Sequence, residues 1–300
     1  MSGARAPSPP AEDYVRLRPG GSGAAVRGRA ALIWVEGPDA EGFLHGLLSN
    51  DVAGLAGGAS CRALLLDAKG HLQADLRVRR DGPDAFTVVV APEQSELVMA
   101  LLDRYHFSEE LDLIGPEEVE LLTVAGAPDG AEGLAELALP GTLPGTLDLV
   151  VDDAAAAIAR LGLPEASVEA REMARVAAGQ PVVGLDTGPT TLVQEAGLQG
   201  DAVSFEKGCY LGQETVARLQ FRGRVNRVLR GLRMPDPAPA AGGAVRAGGR
   251  EVGRLTSVAT TPDLGVIGLA VLRREVEPGA EVEVEGAAGP ARVVELPFVR

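Results

Sequence analysis

From residue 30 the chain switches repeatedly between two hydrophobic periods. AALIWVEG is a short, nearly continuous apolar run of the kind a buried strand needs. The segment after Asp39, AEGFLHGLLSN, instead places apolar residues at helical spacing, with the aspartate where an N-cap belongs. CRALLLD and HLQADLRVRR flank the turn Asp67–Gly70 and predict an antiparallel hairpin, to which AFTVVVA adds a further strand. PEQSELVMALLDRYHF carries Pro92 in a first turn and apolar residues at helical intervals, and EEVELLTVAG returns to a strand pattern. Helices alternating with antiparallel strands make an α+β class.

DAAAAIARLG and SVEAREMARVAAG then read as two helices, the second stopped by Gly179 with Pro181 just beyond. Residues 182–204 lack a clear period and predict a long loop lining a site. From Gly223 onward the chain consists of short strand patterns (VNRVLRGLRM, EVGRLTSVAT, GVIGLAVLRR, AEVEVEG, ARVVELPF) parted by Gly/Pro turns, which predicts a small C-terminal antiparallel β-barrel of about 80 residues. The expected organisation is a disordered leader over 1–26, an α+β body over 27–221 and the barrel over 222–300.

Composition narrows the class without naming a function. A 300-residue chain that is 46% hydrophobic can build two or three packed domains. Its net charge of −14 argues against coating nucleic acid or anionic membrane with the whole surface, and leaves room for a local basic patch. No segment has the apolar length of a signal core or a membrane span, so a cytoplasmic protein that meets no membrane is expected. Two cysteines and three histidines without C-x-x-C spacing make a poor metal or cluster site for one chain, and no resident metal is expected.

The chemistry concentrates in EKGCYLGQETVAR, residues 206–218, where Cys209 stands between Gly208 and Gly212. A cysteine reacts as thiolate, which a nearby cation or a helix N-terminus favours. Lys207 lies two residues before Cys209 and GQETVARLQF can open a helix after it. Against this stands a buried structural cysteine in a glycine loop, since free cysteine is among the most buried residue types. Spacing alone leaves both readings open.

The segment K-G-C-Y-x-G-Q-E at 207–214, followed by Val216-Ala217-Arg218, resembles the signature of the YgfZ-type folate-binding proteins, accessory factors in iron–sulfur cluster assembly and repair. Further blocks resemble the same family: Gly42-Phe43-Leu44 to Asn50-Asp51-Val52, the D-x-K-G turn at Asp67–Gly70, Arg175 to Pro181, and G-x-x-T-S at Gly253–Ser257. The family is related to the T-protein of the glycine cleavage system, a tetrahydrofolate-dependent aminomethyltransferase. The resemblance therefore implies a multi-lobed, T-protein-like body around a central folate cavity, with the barrel at its C-terminal end.

It also implies a cofactor, tetrahydrofolate or a one-carbon derivative. A pterin edge offers adjacent N–H donors that one carboxylate can accept, and Glu195 in LVQEAGL matches the P-Q-E-x-x-L pterin-binding element, with Val193 in place of its proline. Lys207, Tyr210, Gln213, Arg218 and Arg224 are the other expected cofactor contacts. Cys209 is the expected reactive group, and Asp75, through burial, a proton-handling one. Six arginines between Arg218 and Arg233 form a dense basic run that suits the carboxylates of a folate tail. Taken as lacking interleaved aromatics, the run weighs against RNA. Expected partners are thus iron–sulfur proteins or cluster-assembly factors and the folate, with no nucleic acid and the chain a monomer. A true aminomethyltransferase and a non-catalytic folate-sensing adaptor are the competing functions.

Overall fold

The computed structural model describes residues 9–299. Helix α1 (Pro9–Leu17) precedes the long strand β1 (Ala24–Glu36), then α2 (Ala40–Leu47), the hairpin β2 (Ser60–Leu66) and β3 (Leu72–Arg80), β4 (Ala85–Val90), α3 (Pro92–Tyr105) and β5 (Asp112–Ala125). Strands β6 (Leu137–Pro140) and β7 (Thr146–Val151) follow, then α4 (Ala154–Leu161), α5 (Val168–Ala177), the one-turn α6 (Val193–Ala196) and α7 (Gln213–Arg222). The remaining strands are β8 (Arg227–Met234), β9 (Ala244–Ala247), β10 (Arg250–Thr261), β11 (Gly265–Arg273), β12 (Glu281–Val284) and β13 (Ala291–Val294).

The body is a seven-stranded antiparallel sheet in the order β2-β3-β4-β1-β5-β7-β6. Its two faces follow from the period of two. Along β3, Leu72, Ala74, Leu76 and Val78 are buried while Gln73, Asp75, Arg77 and Arg79 alternate with them at intermediate exposure. Ala74, Leu76 and Val78 join Phe43 and Leu44 of α2 and Val98 and Leu102 of α3 in one core. The other face therefore presents a polar row, in which Arg77 pairs with the buried Asp148 of β7 (2.5 Å). The C-terminal strands close into a six-stranded barrel, β10-β11-β8-β13-β12-β9, with its own core around Leu232, Leu255, Leu272 and Val293.

One expectation is overturned at the N-terminus. Residues 1–8 lie outside the described residues, but 9–17 form α1 rather than a disordered leader, and Tyr14 and Leu17 are 0% and 2% exposed. They enter a core built from Ala170 and Met173 of α5 and Ile267 and Leu269 of the barrel. A nine-residue helix carries too few apolar positions to show a period in sequence, and its stability comes from that tertiary burial.

The same junction explains two sequence blocks. Arg175 donates to Asp186 (2.8 Å), to the Gln180 carbonyl (2.6 Å) and to Ser257 Oγ (2.6 Å). Asp186, itself 1% exposed, also accepts from the hydroxyls of Thr256 (2.6 Å) and Ser257 (2.7 Å) and from the Val182 N–H (2.9 Å). Arg175–Pro181 and Gly253–Ser257 are thus two sides of one buried network that fastens the barrel to the body. A buried guanidinium and carboxylate are tolerated because each is paired and nearly saturated with hydrogen bonds.

Candidate functional site

The cysteine loop is clamped from three directions. Lys207 Nζ donates to the carbonyl oxygens of His45, Leu48 (2.7 Å) and Asn50 (3.1 Å), closing the C-terminal end of α2, where carbonyls are left without helical partners. Burial pushes the Lys207 ammonium down to about 8, and the three carbonyls are what make a charge tolerable there. Gln213, the first residue of α7, donates from Nε2 to the Gly208 carbonyl (3.3 Å), and the Leu211 N–H donates to the Gly46 carbonyl (3.1 Å).

The third clamp is a contact of two glycines. Gly70 (φ +81°) ends the D-x-K-G turn, in which Asp67 accepts from the backbone of Lys69 and His71 and pairs with the His71 ring (2.8 Å). Gly212 (φ +80°) precedes α7 and packs on that turn: a Cβ on Gly212 would lie 2.5 Å from the Asp67 carbonyl oxygen and 3.1 Å from the Gly70 Cα. Both glycines are needed for left-handed backbone and for close approach.

Within this frame Tyr210 is 7% exposed and packs with Leu64, Leu66, Val193 and Val216, while Cys209 beside it is exposed. Burial pushes the Tyr210 hydroxyl up to about 12, and Lys207 Nζ lies 5.0 Å from its ring centre. The loop thus buries the tyrosine and turns the cysteine outward. Cys61 on β2 is the opposite case, since burial pushes its thiol up to about 11.

Glu195 occupies the third position of α6 at 9% exposure, and its Oε2 accepts from the Leu192 N–H (3.1 Å). Its Oε1 makes no hydrogen bond among the described residues, and the carbonyl oxygens of the neighbouring Gln194 and Gln199 side chains are buried without partners. Segment 194–199 therefore carries spare acceptors, the complement of a ring edge that bears several N–H donors. Gln194 Nε2 ties this segment to α7 through the Val216 carbonyl (2.8 Å).

Residues 227–300 match the family model of the glycine cleavage T-protein C-terminal barrel domain. Over 297 residues the chain is 28% identical to a protein of Klebsiella pneumoniae named tRNA-modifying protein YgfZ, covering 89% of this chain and 90% of that protein. Proteins of the same name from Cronobacter sakazakii (27% identical) and Escherichia coli (28% identical) align over the same shares. The chain is YgfZ-like over nearly its whole length. The crystal structure of the glycine cleavage system aminomethyltransferase T from Bartonella henselae superposes with a TM-score of 0.80, covering 97% of this chain and 89% of that one, at 24% identity. The T-protein-like α+β fold with its terminal barrel is thereby shown.

In this YgfZ-like frame the expected site residues separate into groups. Cys209 is exposed and Glu195 is buried with one oxygen spare. Lys207, Tyr210 and Gln213 instead build the loop: the lysine's donors are spent on carbonyls at and just past the end of α2, so it serves as an anchor and not as the thiol's counter-charge. Asp75 is corrected as well. It is held by a fork from Arg62 on the neighbouring strand, Nε to Oδ1 at 2.9 Å and Nη2 to Oδ2 at 2.6 Å, and is no isolated buried carboxyl. Burial works against the Arg62 charge, but Asp75, with Asp201 at 3.0 Å, outweighs it and pushes the Arg62 pKa up. Arg62 also reaches Gln180 Oε1 (3.5 Å), which lines a cavity of about 260 Å³ walled by Tyr14, Leu17, Ala174 and Ala177.

Arg218 and Arg224 are exposed and make no ion pair or side-chain hydrogen bond among the described residues. Phe221 overturns the view of the arginine run as free of aromatics: it stands between Arg218 and Arg222 and is 70% exposed. Arg62, Asp186 and Phe221 were therefore the important residues missed. Phe221 stands in plain view within the arginine run, whereas Arg62 and Asp186 reach their partners across strands and domains and leave no local signal.

Proposed function

We propose that this chain is a tetrahydrofolate-binding accessory factor for iron–sulfur cluster assembly or repair, presenting Cys209 to its clients. The observation that carries the reading is the construction of the cysteine loop. Lys207, Gln213, Tyr210 and the Gly70–Gly212 contact fix a backbone whose one unburied reactive group is a thiol, an arrangement that a merely structural cysteine would not need. A thiolate at that position is a nucleophile and a soft metal ligand.

The folate assignment is supported by the spare acceptors of segment 194–199. Glu195 Oε1 and the side-chain carbonyls of Gln194 and Gln199 supply acceptors of the kind the donor-bearing edge of a pterin needs, and burial makes leaving the two glutamine carbonyls unpaired costly. Tetrahydrofolate supplies one-carbon chemistry when bound. The residues of this chain would contribute recognition of the ring edge. The name of the YgfZ relatives connects them with tRNA modification, which fits an accessory factor whose clients modify tRNA.

The test is complementation of a strain lacking this protein with wild type and Cys209→Ser, reading iron–sulfur enzyme activity, alongside calorimetry with tetrahydrofolate. The expected result is lost rescue with unchanged folate affinity in the serine variant. Full rescue by Cys209→Ser would remove the thiol from the function and leave a folate-sensing adaptor. Formation of methylenetetrahydrofolate in the presence of glycine-cleavage partner proteins would establish an aminomethyltransferase instead.

A further inference from the structure

The geometry points to a binding face for single-stranded RNA formed by the C-terminal half of α7 and the adjoining ends of β8 and β11. Three observations converge on it. On α7, Arg218, Phe221 and Arg222 are three and four residues apart and so share one stripe of the helix. Arg222, Arg224 and Arg227 are exposed and form no ion pair or side-chain hydrogen bond among the described residues. In a chain of net charge −14 with 42 acidic residues, such a group left without carboxylate partners is out of keeping with the rest of the surface.

The second observation is a repulsion built into the barrel. Arg227 and Arg273 are direct cross-strand partners in the β8–β11 ladder, where like charges opposite one another are destabilising. Exposed Arg274 adjoins them, its N–H bonded to the Asn226 carbonyl (3.0 Å). Arg273 has one carboxylate near it, Glu275 at 3.8 Å, and the acidic residues of the cysteine segment, Glu206 and Glu214, are exposed, the latter in the first turn of α7 and away from its arginine-bearing C-terminal half. An anion bridging Arg227 and Arg273 would turn that repulsion into attraction. Arg222 and Arg227 are five positions apart, so their Cα atoms lie within about 17 Å.

The third observation selects nucleic acid over other polyanions. Phe221 stands in the stripe and packs edge-to-face on Phe205, with ring centres 5.9 Å apart. An exposed aromatic, held by a second ring and flanked by guanidinium groups, offers a platform on which an unpaired base stacks while the arginines take the phosphates. An acidic polypeptide would use the arginines and leave Phe221 idle. Duplex RNA keeps its bases inside the helix and would do the same. The proposal uses no residue of segment 194–199, so its variants test it separately from the folate reading.

Fluorescence anisotropy with a labelled 16-nucleotide single-stranded RNA, across 50–200 mM salt, tests it on the full-length protein. For wild type, affinity should fall steeply with salt. The Arg222→Ala/Arg227→Ala variant should reduce the slope of log affinity against log salt by about 1.4, since each phosphate contact on a single strand contributes about 0.7. Phe221→Ala should weaken binding about five- to a hundredfold with the slope unchanged, because stacking carries no counterion release. Unaltered melting temperatures and tetrahydrofolate affinity in both variants would show that neither the fold nor the folate site was damaged. Absence of binding at 50 mM salt, insensitivity to both variants, or equal affinity for a duplex or for a polyglutamate peptide of the same charge would each overturn the proposal.

Discussion

Replacing Gly212 by alanine should be among the most damaging single-methyl changes in the molecule, and the structure says why. At φ +80° an L-residue costs about 1–2 kcal/mol relative to glycine. The added Cβ would lie 2.5 Å from the Asp67 carbonyl oxygen and 3.2 Å from the Gly70 N, both backbone atoms of a turn already fixed by the Asp67 side chain. Backbone cannot rotate aside as a side chain can, so an overpacking cost of about 1–3 kcal/mol adds to the first. The sum, about 2–5 kcal/mol, is a large fraction of a typical folding free energy. At about 2–4 °C per kcal/mol it should lower the melting temperature by about 4–20 °C. Gly208→Ala is the internal control: its φ is not positive and the nearest atom to a Cβ there, His45 Nε2, is 3.9 Å away, so its melting curve should match wild type. Differential scanning calorimetry on both variants decides the matter. Equal stability of Gly212→Ala and Gly208→Ala would refute the claim that the turn and the cysteine loop are locked together at these two glycines.

Glu195→Gln should weaken tetrahydrofolate binding by about 1–3 kcal/mol in calorimetry, because an acceptor oxygen becomes a donor facing a donor; unchanged affinity would take Glu195 out of the site. At pH 8 a maleimide should modify exposed Cys209 and spare Cys61, whose thiol burial pushes up to about 11, as read by mass spectrometry of the two tryptic peptides. Between pH 9 and 11 the unfolded chain would give up the Cys61 proton first, so stability should fall with rising pH there, and fall less in Cys61→Ser. Asp186→Asn should cost about 3–5 kcal/mol in chemical denaturation, since Arg175 would lose its buried counter-charge and the new amide NH2, taking the place of Oδ2, would face the Arg175 and Val182 donors.

The sequence by itself determined the local alphabet of this protein. The strand, helix and hairpin periods from residue 30, the turn at Asp67–Gly70 and the strand-rich C-terminal end are set by patterns spanning fewer than about fifteen residues, where side-chain period and turn chemistry act directly. The loop around Cys209 was equally legible, because its glycines and flanking residues are contiguous. Tertiary structure decided which of those residues face a ligand and which build the scaffold. Lys207, two residues from the thiol in sequence, spends its donors on carbonyls at and just past the end of α2, more than 150 residues away in the chain. Asp75 is a lone carboxylate in sequence until the neighbouring strand brings Arg62 against it, and residues 9–17 read as part of a disordered leader although α5 and the barrel bury Tyr14. In each case the deciding free energy comes from a partner distant in sequence, since burial and charge pairing depend on neighbours in space that local periodicity does not encode.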